Sequence, residues 1–105
     1  MLKVELEFYK GILFIRLKGI LTKENIENEN LNQIIEEIGF KYIVFNIDNI
    51  KQIDGYGIRY LINYNNKLKN DNGKAIVCQD STLFLDKFIP KIEFIKKEKE
   101  VFNLM

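Results

Sequence analysis

The segment of this sequence best suited to specific chemistry is Asp54-Gly55-Tyr56-Gly57. Its aspartate can cap a helix by accepting a hydrogen bond from the first turn, and its two glycines permit a tight backbone turn. Free N–H groups at such a junction, together with the helix dipole, favour negative charge. We therefore predict that the functional centre lies here. The glycine pair is too short for a P-loop or a dinucleotide fingerprint, so we attribute it to backbone geometry.

A group of polar and aromatic side chains continues from this segment at helical spacing. Its members are Tyr56, Arg59, Tyr60, Asn63, Tyr64 and Lys67. The apolar residues of the same helix would face the core and leave this side facing outward. Tyrosine and arginine are enriched in the hot spots of protein interfaces. We predict a partner-binding surface made of Asp54, Gly55, Tyr56, Gly57, Arg59, Tyr60 and Asn63.

The same residues also have structural explanations, which the sequence leaves open. Asp54 could do no more than cap the helix, because aspartate is among the best N-cap residues. The tyrosines could cover the sides of the core with their rings. The sequence alone does not decide between these explanations and a binding role.

The rest of the sequence offers little catalytic chemistry. It contains no histidine, so the commonest general base and metal ligand are both absent. The single cysteine, Cys78, follows an apolar run and is predicted to be a small buried hydrophobe. Asp48 could suggest a phosphorylated aspartate or a Mg²⁺ ligand, but no acidic cluster or lysine is evident on neighbouring strand ends. We predict a protein that is not an enzyme and needs no cofactor or metal.

Length and charge bound the function further. The 105 residues predict one domain, 1–105, with a net charge of +1 that gives no reason to expect nucleic acid or a membrane as a partner. Charged residues are scattered through the first twenty positions, unlike a signal peptide. We expect a cytoplasmic protein.

The elements that position the candidate site can be read on either side of it. Tyr42–Ile47 is β-branched and aromatic, which predicts a central strand buried on both faces. A helix with 3.6-residue apolar spacing is predicted from Ile58 to the turn cluster Asn70-Asp71-Asn72-Gly73. The site thus lies between a buried strand and the start of a helix.

The remaining pattern completes an α/β fold. The predicted elements are strands Leu2–Phe8 and Ile12–Gly19, a helix from its N-cap Thr22 to Gly39, strand Lys74–Cys78, helix Thr82–Phe88 ended by Pro90, strand Ile92–Ile95 and helix Glu98–Leu104. The order β-β-α-β-α-β-α-β-α predicts a mixed β-sheet with packed helices, in which the later strands run parallel. Helices on both faces are the usual outcome, and one face is the alternative.

This order, with residues 12–22 and above all 43–58, resembles the STAS domain. More narrowly it is similar to the bacterial anti-sigma factor antagonists of sporulation and general stress control, over nearly the whole chain. The resemblance implies a protein that binds an anti-sigma factor, itself a serine kinase of the histidine-kinase ATPase type, and so frees a sigma factor for transcription.

The sequence departs from the family at one place. The family carries its phosphorylated residue in an Asp-Ser-Ser/Thr-Gly loop, whose ends match Asp54 and Gly57 here. Gly55 and Tyr56 then occupy the two hydroxyl positions, so the usual phosphoacceptor serine or threonine is missing. The Tyr56 hydroxyl lies much farther from the backbone than that of serine, and we predict no serine-phosphorylation switch at this loop.

Two other functions stay open. The chain could bind a small ligand or nucleotide at the same helix N-terminus, or it could assemble with itself through the tyrosines as a scaffold. We expect a monomer or a weak homodimer.

Overall fold

A five-stranded sheet organises the structure, a computed structural model that describes residues 1–28 and 30–104. The strands are β1 (Leu2–Tyr9), β2 (Ile12–Leu21), β3 (Tyr42–Ile53), β4 (Lys74–Cys78) and β5 (Glu93–Ile95), and they lie in the order β1-β2-β3-β4-β5. The β1–β2 hairpin is antiparallel, whereas β2 to β5 are parallel. The predicted mixed α/β sheet is confirmed.

The helices are α1 (Lys23–Asn28), α2 (Leu31–Ile38), α3 (Gly55–Lys69), α4 (Leu85–Phe88) and a C-terminal 3-10 helix (Glu98–Asn103). The single helix predicted between Thr22 and Gly39 is therefore wrong, because α1 and α2 are separate. Asn30 stands before α2 with φ 50°, a left-handed conformation that interrupts a helix and that asparagine tolerates. Gly39 ends α2 with φ 70°, as predicted.

The central strand is longer than its apolar part. β3 continues through polar residues to Ile53, and α3 begins at Gly55 rather than at Ile58. The reason is tertiary: β2 runs alongside β3 to its end, with Gly19 paired to Ile50 and Leu21 paired to Ile53. Backbone pairing keeps this stretch extended although its side chains do not alternate.

Helix α4 is shorter than predicted. Thr82–Phe88 was expected to be helical, but α4 begins only at Leu85. The Leu83 N–H donates to Ser81 Oγ at 3.4 Å, and the Phe84 N–H donates to the buried Gln79 side chain at 3.3 Å. These local bonds compete with helical ones and hold the segment in turns. The predicted terminal α-helix is likewise a 3-10 helix.

The core has two unequal parts. The larger part lies between one face of the sheet and α1 to α4, and includes Ile15, Phe45, Leu61 and Phe88. The smaller part lies on the other face and consists of Ile12, Phe14, Val44, Ile76, Cys78, Ile95 and Val101. Among the described residues, those of α1 to α4 thus contribute to one face, the less usual of the two predicted arrangements, and the 3-10 helix covers the second face through Val101.

An ion-pair network fastens the 3-10 helix to that second face. The Arg16 guanidinium donates to both carboxylate oxygens of Glu98, at 2.9 and 2.8 Å. Asn46 also donates to Glu98, at 2.7 Å, and Glu7 approaches Arg16 to 2.7 Å. These bonds lower the pKa of Glu98 below its ordinary value, with the Arg16 hydrogen bond as the largest cause.

Candidate functional site

Asp54 organises the junction between β3 and α3. It is the N-cap of α3 in an extended conformation, and its Oδ1 accepts the Gly57 N–H at 2.7 Å. Its Oδ2 accepts the Lys23 N–H of α1 at 3.4 Å. The predicted cap is confirmed, and one carboxylate holds the first turns of two helices together.

Gly57 allows α3 to approach the end of β2. A Cβ at this position would collide with the Leu21 carbonyl oxygen and lie 3.0 Å from the Ile53 side chain. Glycine is therefore required here for close packing of backbone on backbone. The result is that the N-terminus of α3 sits directly against the carboxyl ends of β2 and β3.

Gly55 and Tyr56, at the family's hydroxyl positions, differ in their surroundings. Gly55 is exposed, and a Cβ there would meet only the end of the Arg59 side chain, at 3.2 Å. Tyr56 is half-buried and packs against the core, with Lys23 Nζ 5.8 Å from its ring centroid. Position 55 therefore has room for a side chain, whereas the Tyr56 ring is already engaged.

A groove runs beside this junction between α2 and α3. Its volume is about 300 Å³, and it is lined by Asn32, Glu36, Tyr56, Arg59, Tyr60, Asn63, Tyr64 and Lys67. Lys67 Nζ lies 2.6 Å from Glu36 Oε1, which joins the two helices. The groove is thus polar at its rim and aromatic at its base.

Two of the tyrosines predicted to face outward are buried instead. Tyr60 is 9% exposed and Tyr64 is 6% exposed. The Tyr60 hydroxyl donates to Asn32 Oδ1 at 2.7 Å, and the Tyr64 ring packs edge-on against Phe45. Burial raises the pKa of both phenols. The outward orientation was wrong for these residues because α2 covers this side of α3, and the core-covering explanation holds for them.

The accessible part of the predicted surface is smaller. Gly55, Arg59 and Asn63 are exposed, while Asp54 and Tyr56 are half-buried. The structure adds Lys23, Asn32 and Glu36 from α1 and α2, which sequence reasoning missed. Asn32 and Glu36 stand four residues apart, a spacing that places them on one side of α2, but nothing in the sequence shows which helix this side faces.

Sequence reasoning also missed two buried amides. Asn65 on α3 is 2% exposed, and its Oδ1 accepts the Ala75 N–H of β4 at 3.0 Å. Gln79, equally buried, accepts the Phe84 N–H just before α4. Asn65 is a polar residue within a helix and Gln79 directly follows a strand, and neither position signals such a role in the sequence. These bonds anchor α3 and α4 against the sheet.

Asp48 and Cys78 lie apart from the junction. Asp48 Oδ1 accepts the Asp80 N–H at 2.6 Å, which gives this carboxylate a structural role. Burial, aided by nearby carboxylates, raises the pKa of the Cys78 thiol to about 12, so the thiol is unreactive at neutral pH. Among residues 1–28 and 30–104, no three His, Cys, Asp or Glu side chains are grouped to hold a metal ion. No helix within the described residues has the length and apolar character to span a membrane.

Comparison with known proteins identifies similar molecules. A family model described as the STAS domain matches residues 3–88. SpoIIAA, an anti-sigma factor antagonist, in its unphosphorylated form is 18% identical, with a TM-score of 0.73 over 97% of this chain and 96% of that one. The Bacillus cell fate determinant SpoIIAA in its phosphorylated form is 18% identical, with a TM-score of 0.69 and coverages of 97% and 98%. An anti-sigma factor antagonist from Mycobacterium paratuberculosis is 12% identical, with a TM-score of 0.78 and coverages of 99% and 93%. At these identities the structural likeness concerns the fold.

Proposed function

The chain belongs to the STAS domain family, as its sequence predicted, and on that premise we propose that it is an anti-sigma factor antagonist. In this role it binds a kinase-like anti-sigma factor without catalysing a reaction, and so frees a sigma factor for transcription in the cytoplasm. The observation that carries the proposal is the Asp54-capped N-terminus of α3, which presents exposed Gly55 and Arg59 beside a groove.

The proposed contact surface is built on a backbone that is fixed at Asp54 and Gly57. Its members are Asp54, Gly55, Tyr56, Gly57, Arg59 and Asn63, with Tyr60 beneath them as support. The Asp54 cap and the close approach of Gly57 to Leu21 hold the backbone in place before a partner binds. A preformed backbone lowers the entropy cost of association. Arg59 and Tyr56 are the residue types that most often supply binding energy at such a centre.

The proposal includes the absence of the usual switch. SpoIIAA is known in a phosphorylated form. Here Gly55 has no hydroxyl, and the Tyr56 ring is packed against the core beneath Lys23. A kinase site shaped for a short serine hydroxyl would not reach the tyrosine oxygen by the same geometry. We therefore expect an antagonist that binds constitutively.

The test is a pull-down from the native host with the wild type and the Arg59→Glu and Tyr56→Glu variants. Lys91→Glu is the matched control, because it reverses an exposed charge near α4, away from this surface. We expect the wild type and Lys91→Glu to recover a histidine-kinase-type ATPase, and the other two variants to lose it. Equal recovery by all four proteins, or recovery of no such ATPase by the wild type, contradicts the proposal.

A further inference from the structure

The outer edge of β1 is long and regular. All eight residues of β1 pair with β2 in an unbroken register. Glu5 to Tyr9 are exposed, and within the described residues β1 has no strand on its outer side. The opposite edge of the sheet, β5, has only three residues. A regular strand edge of this length offers a template for pairing with another chain.

The hairpin register fixes which backbone groups point outward. The Ile20 N–H donates to the Met1 carbonyl at 3.0 Å, so the odd-numbered residues of β1 direct their backbone groups to β2. Antiparallel pairs alternate, and the even-numbered residues therefore present their N–H and C=O groups to the free edge. These residues are Leu2, Val4, Leu6 and Phe8.

The same even-numbered residues carry an exposed apolar row. Their side chains share the face that packs against the helices, but the helices cover only its beginning. Leu6 is 39% exposed and Phe8 is 57% exposed, although Phe8 stacks on Phe40 at 4.3 Å. The free backbone groups and the uncovered apolar side chains thus belong to one strip.

We propose that a second copy of this chain pairs with this strip, β1 against β1 in antiparallel orientation. With Glu5 on the two-fold axis, Leu2 lies opposite the partner's Phe8 and Val4 opposite the partner's Leu6. On the other face Lys3 lies opposite the partner's Glu7, and the two-fold axis repeats this ion pair. Every outward backbone group of the four apolar residues gains a partner, and the two sheets become one.

Charge and apolar pairing together select this register. Charged side chains usually protect an edge strand from pairing, but here their order makes antiparallel pairing attractive. A shift of the register by two residues in one direction sets Glu5 opposite the partner's Glu7, which is repulsive. A shift in the other direction sets Lys3 opposite the partner's Glu5, which is attractive, but it leaves Phe8 without an opposite residue and so loses apolar pairing. At the axis each Glu5 lies 3.6 Å from its own Arg16, which offsets the repulsion between the two carboxylates.

Sedimentation over a concentration series tests the proposal with the wild type, Lys3→Glu, Glu7→Lys and the double variant. We expect Lys3→Glu to raise the dimer dissociation constant about tenfold, because two attractive cross-strand pairs become repulsive. Lys3→Glu/Glu7→Lys should restore dimerisation, since it exchanges the charges within each pair. Lys91→Glu, which reverses an exposed charge outside β1 and β2, is the matched control and should leave the constant unchanged.

Restored dimerisation of the double variant also shows that loss of the dimer in a single variant is not caused by misfolding. Because Glu7→Lys loses its ion pair with Arg16, thermal unfolding of each variant is measured to establish that it is folded. A wild type that remains monomeric at its highest soluble concentration overturns the proposal. So does a dimer that Lys3→Glu leaves intact, because that dimer would use another surface.

Cross-linking tests the register itself. Glu5→Cys places two thiols across the axis, at the closer of the two spacings found in antiparallel pairs. We expect mild oxidation to give a covalent dimer of this variant and none of Lys18→Cys, while the native Cys78 is buried. Failure of Glu5→Cys to cross-link more than Lys18→Cys overturns the proposed register.

Discussion

Gly55 and Gly57 stand two residues apart in the first turn of α3, yet they meet different surroundings. Gly57 faces the Leu21 carbonyl, whereas Gly55 faces solvent and a flexible arginine. The sequence predicted that both glycines serve backbone geometry. Only the packing of α3 on β2 shows that one glycine is required there and that the other has room for a side chain.

Alanine substitutions should separate the two glycines. Gly57→Ala should lower the free energy of unfolding by about 1–3 kcal/mol, since the added methyl collides with fixed backbone. Gly55→Ala should raise it by up to about 1 kcal/mol, because alanine restricts the unfolded chain and Arg59 can move aside. Urea denaturation of both variants measures the difference. Equal effects would show that the close approach at Gly57 is not maintained in solution.

Restoring the family's loop should restore its switch. Gly55→Ser/Tyr56→Ser recreates Asp-Ser-Ser-Gly on a backbone already capped by Asp54. With the partner kinase and ATP, we expect the variant to gain one phosphate and to lose binding, because a dianion adds charge and bulk at the contact. Intact-protein mass spectrometry measures the modification. Phosphorylation of the wild type at residues 54–57 would contradict the proposed constitutive role.

The tyrosines show where prediction from residue types reached its limit. Their helical spacing correctly places Tyr56, Tyr60 and Tyr64 on one side of α3, but a tyrosine suits an interface and a core margin equally. The deciding contact, between the Tyr60 hydroxyl and Asn32, joins residues far apart in sequence. No local pattern encodes it.

Among the elements, β3 and α3 show what the sequence could and could not fix. The apolar spacing from Ile58 onward correctly predicts α3. Its first residue, Gly55, is marked in the sequence only by the capping residue Asp54. The polar second half of β3 has no strand pattern, because pairing with β2 rather than side-chain alternation keeps it extended. The break between α1 and α2 depends on the left-handed backbone conformation of Asn30. Asparagine permits this conformation but does not require it.

The attachment of the 3-10 helix should contribute less to the stability of the protein at acidic pH. This attachment through Glu98 lowers the pKa of that carboxyl below the ordinary value of 4.5. A lowered pKa in the folded state contributes stability above the unfolded pKa, and this contribution is lost as the pH falls through the folded pKa. We expect the wild type to lose stability below about pH 4.5 more steeply than Glu98→Gln.

Chemical denaturation of both proteins at a series of pH values gives the comparison. Glu7→Gln is a useful control, since it removes a more exposed carboxylate that also approaches Arg16. Parallel pH profiles for the wild type and Glu98→Gln would show that this attachment does not contribute to acid sensitivity.

For the molecule as a whole, the order of elements was enough to predict a mixed sheet with parallel later strands. The distribution of helices was not, because the apolar residues of β2 and β3 are buried on both faces and therefore do not show where helices lie. The structure places α1 to α4 on one face and leaves the other to Val101 and the Arg16 network. Because α1 and α3 pack on the same face of the sheet, their N-termini can meet at Asp54.

The shared carboxylate of Asp54 has a consequence for amide exchange with solvent. Its two oxygens bind the Gly57 N–H of α3 and the Lys23 N–H of α1, so withdrawal of the carboxylate frees both amides at once. Deuterium uptake at these positions should follow one opening event rather than two. A partner that covers only the first turn of α3 should then slow exchange at Lys23 as well, and carry protection into a helix that it does not touch.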